Sequence, residues 1–502
     1  MSGHYFTNKE ILKDLGSRSA KGGLWMAGGR VIQFSLELTT ICILARTLSP
    51  KDFGIVGMVT IIFLIIKQFS NLGLERSIIQ KDTISEQAVC SIFWGNTIFG
   101  LTITIIIYSS APLISHFYNT DELINITKAL APTILLSGIT IQHSALMLRA
   151  FEFKNFTIID ISATLLSSLV AVFMAYKGYG YWALVFRMIC WAVFRLVFIL
   201  LATAWIPKFP NFKTNIKPYL NYGLNLAGFN LVHFFVRNFD SILIGKLFGA
   251  SILGFYTRAY RLILTPCLEI NLPLYQVILP SLSRVQNDPV RFRSIYIKFL
   301  SLVSCITIPL IIFVCISAKD LFFILLGPGW DKSAEFILLL MPLAYVNATN
   351  FSDEIVYQGM GTTNRQLKWY LLMSPLILLS MWIGSFWGAN GVAIGTSLSF
   401  FSIRPFSLYY CYRETHITLG DFFRASIRTS IISAISATIT IFVFNKIDIL
   451  LTLNDISAYI NFTIKGSIYV LMWGILECYI GGGPKLFTLL TEFKSQLKKS
   501  RN

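Results

Sequence analysis

The stretch Leu44-Ala45-Arg46-Thr47-Leu48-Ser49-Pro50-Lys51-Asp52-Phe53-Gly54 closes one long apolar run and opens the next. Two hundred positions later Ile244-Gly245-Lys246-Leu247-Phe248-Gly249-Ala250-Ser251-Ile252-Leu253-Gly254 does the same. In both copies a cation follows the apolar run, an apolar residue stands two places further on, and a glycine closes the link. A membrane protein built as two similar halves points to a transporter whose cargo sits where the halves meet.

The surrounding composition agrees with a membrane location. The 502 residues are 55% hydrophobic and 13% charged, against roughly 45–50% and about 25% in a soluble domain. Apolar runs long enough to cross a hydrocarbon core of ~30 Å, which takes about 20 residues, begin near Gly23 and recur to Tyr459. They predict about fourteen transmembrane helices. The runs are continuous and too long for barrel strands, so the fold class is all-α and the chain an integral membrane protein. Six spans precede the restart of the repeat, so the first helix of each half begins on the same side and the repeats are parallel.

Smaller echoes extend the duplication. Pro132 and Pro342 follow similar apolar segments, and Gly180 and Gly391 open corresponding runs. The expected layout is an amphipathic N-terminus at 1–21 with Phe6, Ile11, Leu12 and Leu15 among lysines, an N-lobe at 22–205 and a C-lobe at 218–414. Two further spans at 422–483, which have no counterparts, and a basic tail at 484–502 complete it. No link exceeds about 20 residues, too short for an independent domain of 50 or more.

The formal net charge of +17 raises nucleic acid as a partner, but the lysines and arginines concentrate in the N-terminal segment, the alternate links and the C-terminal tail. Topology and anionic headgroups account for that pattern, and both termini are expected on the cytoplasmic side. Nothing before Gly22 has the apolar core of a cleaved signal peptide. The eight cysteines lie in apolar runs without metal-ligand spacing, and the five histidines are scattered. Neither disulfides nor a metal site is expected, and no phosphate-binding loop of the GxxxxGK[ST] type occurs.

Ionisable residues inside a span cost roughly 2.5–3.5 kcal/mol on insertion scales and should face an interior or a water-filled cavity. The first span offers Arg30, Gln33, Glu37 and Thr40, which at about 100° per residue fall within an arc of about 80°. The seventh offers Asn230, His233, Arg237 and Asp240, each 200 positions from its counterpart. Two such stripes facing each other predict a hydrophilic lumen in which Arg30 and Arg237 hold an anionic headgroup through bidentate guanidinium contacts. Ion pairs within each helix, Arg30 with Glu37 and Arg237 with Asp240, are the alternative.

Arg258 and Arg261 in the eighth span, Arg404 in the twelfth, and Arg187, Arg195 and Lys67 are further cavity candidates. For coupling, the candidate carboxylates are Glu37, Asp160, Asp240, Glu269, Asp353 and Glu354, which would carry a proton or ligate sodium. His233 is a titratable alternative.

These residues carry a family likeness. Arg237-Asn238-Phe239-Asp240-Ser241-Ile242-Leu243-Ile244-Gly245-Lys246-Leu247-Phe248-Gly249, continued by Leu253-Gly254-Phe255-Tyr256-Thr257-Arg258-Ala259-Tyr260-Arg261-Leu262, resembles the seventh and eighth helices of polysaccharide-type flippases. So do Leu44-Ala45-Arg46 with Phe53-Gly54, Leu148-Arg149-Ala150-Phe151-Glu152-Phe153-Lys154 and Gly180-Tyr181-Trp182-Ala183-Leu184-Val185. The chain is most similar to the Wzx-like, colanic-acid-exporter branch of the multidrug/oligosaccharidyl-lipid/polysaccharide (MOP) superfamily, from about Lys21 to Arg413.

The resemblance implies a fourteen-helix inner-membrane protein that moves undecaprenyl-diphosphate-linked oligosaccharide from the cytoplasmic to the periplasmic leaflet. Two lobes would rock about a cationic cavity, with no resident cofactor and with polysaccharide polymerase and chain-length machinery as partners. A drug transporter of the same architecture is the nearest rival, disfavoured by the excess of arginine over carboxylate in the spans. A membrane polymerase or ligase would need a large outer loop, and the longest outer link here, about Ser109 to Asp121, is short. A scaffold would leave the matched stripes of buried arginines without a purpose.

Overall fold

A backbone in lipid has to satisfy its own hydrogen bonds, and the helices of this chain do so along nearly their whole length. The computed structural model describes residues 15–70, 85–203, 205–209, 217–349, 351–448 and 456–481, with no strand among them. In the first half of the chain α1 is Leu15–Thr47, α2 Pro50–Ser70, α3 Glu86–Tyr118, α4 Glu122–Leu130, α5 Pro132–Arg149, α6 Phe153–Tyr176 and α7 Trp182–Thr203. A long element, α8, spans Lys217–Arg284. There follow α9 Pro289–Ile316, α10 Ala318–Leu326, α11 Asp331–Ala348, α12 Phe351–Gly359, α13 Thr363–Gly384, α14 Gly388–Tyr412, α15 Leu419–Asp448 and α16 Ile456–Gly481.

Among the described residues ten stretches are long and apolar enough to cross a membrane. Two of them, Phe234–Arg284 with 51 residues and Thr363–Tyr412 with 50, are far longer than the ~20 residues of one crossing. Both are interrupted: the first at Gly249, where φ is 81° and ψ 177°, the second by a 3-10 turn at Ser385–Trp387 ahead of Gly388. The expected amphipathic start with Phe6, Ile11, Leu12 and Leu15 and the tail at 484–502 lie outside the described residues, apart from the helical backbone from Leu15.

The repeated link is a helix break in both copies. In the first, α1 ends at Thr47 and Ser49 caps α2: its N–H and hydroxyl donate to Asp52 Oδ2 at 2.8 and 2.6 Å. Asp52 N–H donates back to Ser49 Oγ at 3.3 Å, with Pro50 at the first helical position. This reciprocal arrangement satisfies orphan N–H groups at the helix start. In the second copy the break is Gly249, at the position equivalent to Ser49, and the helix resumes at Ala250.

The two resumed helices then cross at their starts. A Cβ added to Gly54 would overlap the carbonyl oxygen of Ala250, and one added to Gly254 would overlap that of Pro50. Pro50 and Ala250 are themselves equivalent positions of the repeat, so the contact is reciprocal and has local two-fold character. Only glycine permits backbones to approach this closely.

By contact the chain divides between Gly254 and Phe255, so the crossing lies within the first unit. There α6 packs on α1 and α7, and α5 packs on α3 and α7. In the second unit α9 packs on α15, α11 and α13 pack on α14, and α15 packs on α16. Its apolar centre includes Leu282, Tyr296, Phe299, Tyr357 and Tyr412, with the Tyr296 and Tyr412 hydroxyls hydrogen-bonded to each other.

The smaller echoes prove less regular than the link. Pro132 is the first residue of α5, whereas Pro342 lies inside α11. Gly180 stands in the turn before α7, whereas Gly391 is already within α14. A proline is tolerated in either place when neighbouring helices and local adjustment cover the freed carbonyl, so composition alone does not locate it.

Replacing Gly254 by alanine should destabilise the fold by about 1–3 kcal/mol, the usual range for overpacking. A lowered thermal unfolding midpoint of the purified chain in detergent would show it, and Gly54→Ala should match it in size because the contact is reciprocal.

Candidate functional site

The polar arc of α1 splits in two. Arg30 and Glu37 are exposed, whereas Gln33 is half-buried and donates from Nε2 to Thr164 Oγ1 of α6 at 3.4 Å. Thr40 is buried, with its hydroxyl bonded to Leu36 O at 2.6 Å. At about 100° per residue Gln33 and Thr40 form one edge of the arc and Arg30 and Glu37 the other. Only the first edge turns into the α6 interface.

On α8, Arg237 is half-buried and Asp240 is buried, its Oδ1 accepting the Ser241 N–H at 2.6 Å. The side chains of Asn230 and His233, and that of Lys67 on α2, lie outside the described residues. Further along α8, Arg258 and Glu269 are half-buried and Arg261 is exposed. On α12, Glu354 accepts from Gln358 Nε2 at 3.1 Å. Arg187 on α7 is half-buried.

Arg404 does not stand on an open wall. Its Nη1 meets Asp353 Oδ2 at 2.6 Å, and its Nη2 donates to Thr349 O at 2.9 Å and Ser352 Oγ at 3.0 Å. Asp353 is covered further by Ser407 Oγ on Oδ2 at 2.9 Å and Ser352 Oγ on Oδ1 at 3.1 Å. The guanidinium thus ties α14 to the break between α11 and α12, where Asn271 Nδ2 and Thr307 Oγ1 also bond the Ala348 carbonyl at 3.2 and 3.3 Å. A buried pair hydrogen-bonded through both guanidinium Nη atoms and both carboxylate oxygens is a structural clamp, and Arg404 and Asp353 are assigned here to that role.

The first unit has a clamp of the same kind. Arg195 Nε on α7 meets Asp160 Oδ1 on α6 at 2.8 Å, and its Nη1 and Nη2 donate to Thr140 Oγ1 and Ser144 Oγ on α5 at 3.4 and 3.2 Å. The Phe156 and Trp191 rings flank the guanidinium. Nothing in the local sequence distinguishes Thr140 and Ser144 from other hydroxyl residues in apolar runs, and only the packing shows their part.

Three more ion pairs hold the last two helices. Arg293 of α9 grips Asp421 of α15 with two hydrogen bonds of 2.8 and 2.7 Å. Arg428 of α15 meets Glu477 of α16 at 2.9 Å, and Lys465 of α16 meets Asp320 of α10 at 2.6 Å. Arg428, Lys465 and Glu477 lie inside apolar runs and were open to the same reading that singled out Glu37. Among the described residues no group of three His, Cys, Asp or Glu side chains stands close enough to hold a metal ion, and the eight cysteines are all free.

A duplicated all-helical membrane chain, with breaks at equivalent links and charged clamps inside its spans, defines a polytopic transporter-type protein. The chain belongs to the family described as polysaccharide biosynthesis protein, whose model matches residues 43–335. It is 23% identical over 434 residues to the lipopolysaccharide biosynthesis protein WzxC of Escherichia coli, covering 84% of this chain and 87% of that protein. It is 22% identical over 353 residues to the succinoglycan biosynthesis transport protein ExoT of Rhizobium meliloti, covering 70% of each. In fold it is similar to the lipid II flippase MurJ in an inward closed conformation, with a TM-score of 0.70 and 15% identity over 91% of this chain and 99% of that one. An inward-facing multidrug transporter of the MOP superfamily follows at a TM-score of 0.59 and 15% identity, over 79% and 94%.

Arg404→Leu alone should destabilise the protein by about 3–5 kcal/mol, because it leaves Asp353 charged and buried. Arg404→Leu with Asp353→Leu should recover most of that loss, as a double-mutant cycle of unfolding midpoints in detergent would measure.

Proposed function

We propose that this protein is a flippase of the bacterial inner membrane that carries undecaprenyl-diphosphate-linked oligosaccharide from the cytoplasmic to the periplasmic leaflet for surface polysaccharide assembly. The observation that carries the reading is the reciprocal crossing at Gly54 and Gly254, in a chain of the polysaccharide biosynthesis family. Equivalent helix starts that meet glycine to backbone mark the duplicated architecture from which alternating-access carriers are built.

Both termini are proposed to be cytoplasmic, in keeping with the distribution of lysine and arginine, which would put the crossing at the periplasmic end. Fourteen spans in two six-helix lobes, with the last two helices added, complete the architecture proposed. Arg30, Glu37, Arg237, Arg258 and Arg261, with Asn230 and His233, are the residues proposed to line the cargo's polar route. Guanidinium groups suit a diphosphate, and the polyprenyl tail can remain in lipid. The names of the relatives support cargo of this class: one is a succinoglycan biosynthesis transport protein, and the similar structure is a lipid II flippase.

The test is reconstitution of the purified chain in vesicles containing a fluorescent polyprenyl-diphosphate oligosaccharide. Leaflet crossing should accelerate over protein-free vesicles, and Arg237→Ala should slow it by an order of magnitude or so, as loss of about 1.4 kcal/mol per tenfold implies. Crossing no faster than in protein-free vesicles would rule out the flippase reading.

A further inference from the structure

Lys246, the cation of the second repeated link, has no carboxylate partner among the described residues; its Nζ stands over the Phe117 ring of α3, 5.1 Å from the centroid. Lys51 of the first link, by contrast, meets Glu122 at 3.8 Å. The Lys246 side chain is half-buried, and α3 ends at Tyr118 while α8 breaks at Gly249. The ammonium therefore lies where two neighbouring spans reach the membrane surface.

Phe117 has a second neighbour. With Leu113 it walls a cavity of about 250 Å³ in the first unit, whose other sides include Ile61, Ile62 and Ile65 of α2 and Ile242 of α8. Tyr118 is the single lining residue with a polar side-chain atom. Leu113 and Phe117 are 71% and 45% exposed, and an apolar mouth on a span opens on the bilayer, because in water it would be a large exposed apolar patch. Ile242 and Lys246 stand one turn apart on one face of α8. The apolar cavity thus ends at a cation.

We infer that this cavity holds one acyl chain of a singly charged anionic phospholipid, whose phosphodiester lies on Lys246. Sugar or drug ligands need placed polar groups, usually in sites of about 300–1,000 Å³, and the walls here offer none. A hydrocarbon chain needs none and enters from lipid without losing water, so the cation decides which lipid stays. An ammonium binds phosphate as a point charge. One ammonium balances a phosphodiester, whereas the diphosphate of a lipid-linked sugar would keep charge unbalanced at the same place. Walls that face a void forfeit their dispersion contacts, so the seated chain also stabilises the approach of α8 to α2 and α3.

The test needs no cargo, so its outcome is separate from that of the flippase reading. The purified full chain in detergent, titrated with phosphatidylglycerol and followed by native mass spectrometry, should retain the lipid more strongly than zwitterionic phosphatidylcholine. Lys246→Gln should weaken retention of phosphatidylglycerol by about tenfold or more, the effect of losing a contact to a charged group. Ile62→Trp, which fills the cavity and leaves Lys246 in place, should weaken it as well. Lys177→Gln is the control, because Lys177 stands over the Phe173 ring at 5.8 Å and neither residue lines the cavity; it should leave retention unchanged. Where a variant folds poorly the unaltered chain decides: phosphatidylglycerol should raise its unfolding midpoint, and glycerol phosphate, which has no acyl chain, should not. Retention that survives both Lys246→Gln and Ile62→Trp, or that falls equally in Lys177→Gln, would overturn the inference. So would a midpoint raised equally by glycerol phosphate, or displacement of phosphatidylglycerol by an equal concentration of polyprenyl diphosphate.

Discussion

An arginine on a transmembrane helix is tolerated only where its charge meets a partner, because the guanidinium cannot be hydrated by hydrocarbon. In this chain that requirement is met by tying neighbouring helices together. Arg195 joins α7 to α5 and α6, and Arg404 joins α14 to the junction of α11 and α12. Arg428 and Lys465 do the same for the last two helices. Each clamp sits among apolar side chains whose packing does not by itself choose one rotation of a helix over another. The ion pair makes that choice, since any other rotation would leave a charge in lipid.

The crossing at Gly54 and Gly254 works by a different means. It is backbone against backbone, permitted by the missing side chains. Contacts of that kind are held by van der Waals packing. A clamp and a crossing therefore hold helices by opposite means, one by paired charge and the other by the close approach of two backbones.

Much of this was legible in the chain itself. The apolar runs, the repeated link that separates them and the family resemblance needed no coordinates. The candidate site was less so. Arg30, Gln33, Glu37 and Thr40 were rightly placed on one side of α1, but a helix carries no label for which edge of an 80° arc meets its neighbour. Gln33 and Thr40 turned inward and Arg30 and Glu37 did not. Asp353, a candidate coupling carboxylate, and Arg404, a candidate cavity residue, looked unrelated because they lie on different spans. Arg428, Lys465 and Glu477 obeyed the same rule as Glu37 and went unremarked because their helices lacked counterparts in the repeat.

By itself, the sequence determined the membrane setting, the helical class, the duplication and the places where helices break. Those follow from local facts: the length of an apolar run, the spacing at which its pattern repeats, the glycine that closes each link. Only the tertiary structure decided that Arg195 would find Asp160, that Arg404 would be sealed with Asp353, and that Gly54 and Gly254 would touch. Periodicity sets the direction of a side chain about its own helix axis and says nothing of how that helix is rotated against the next. Pairing between helices is settled when they pack.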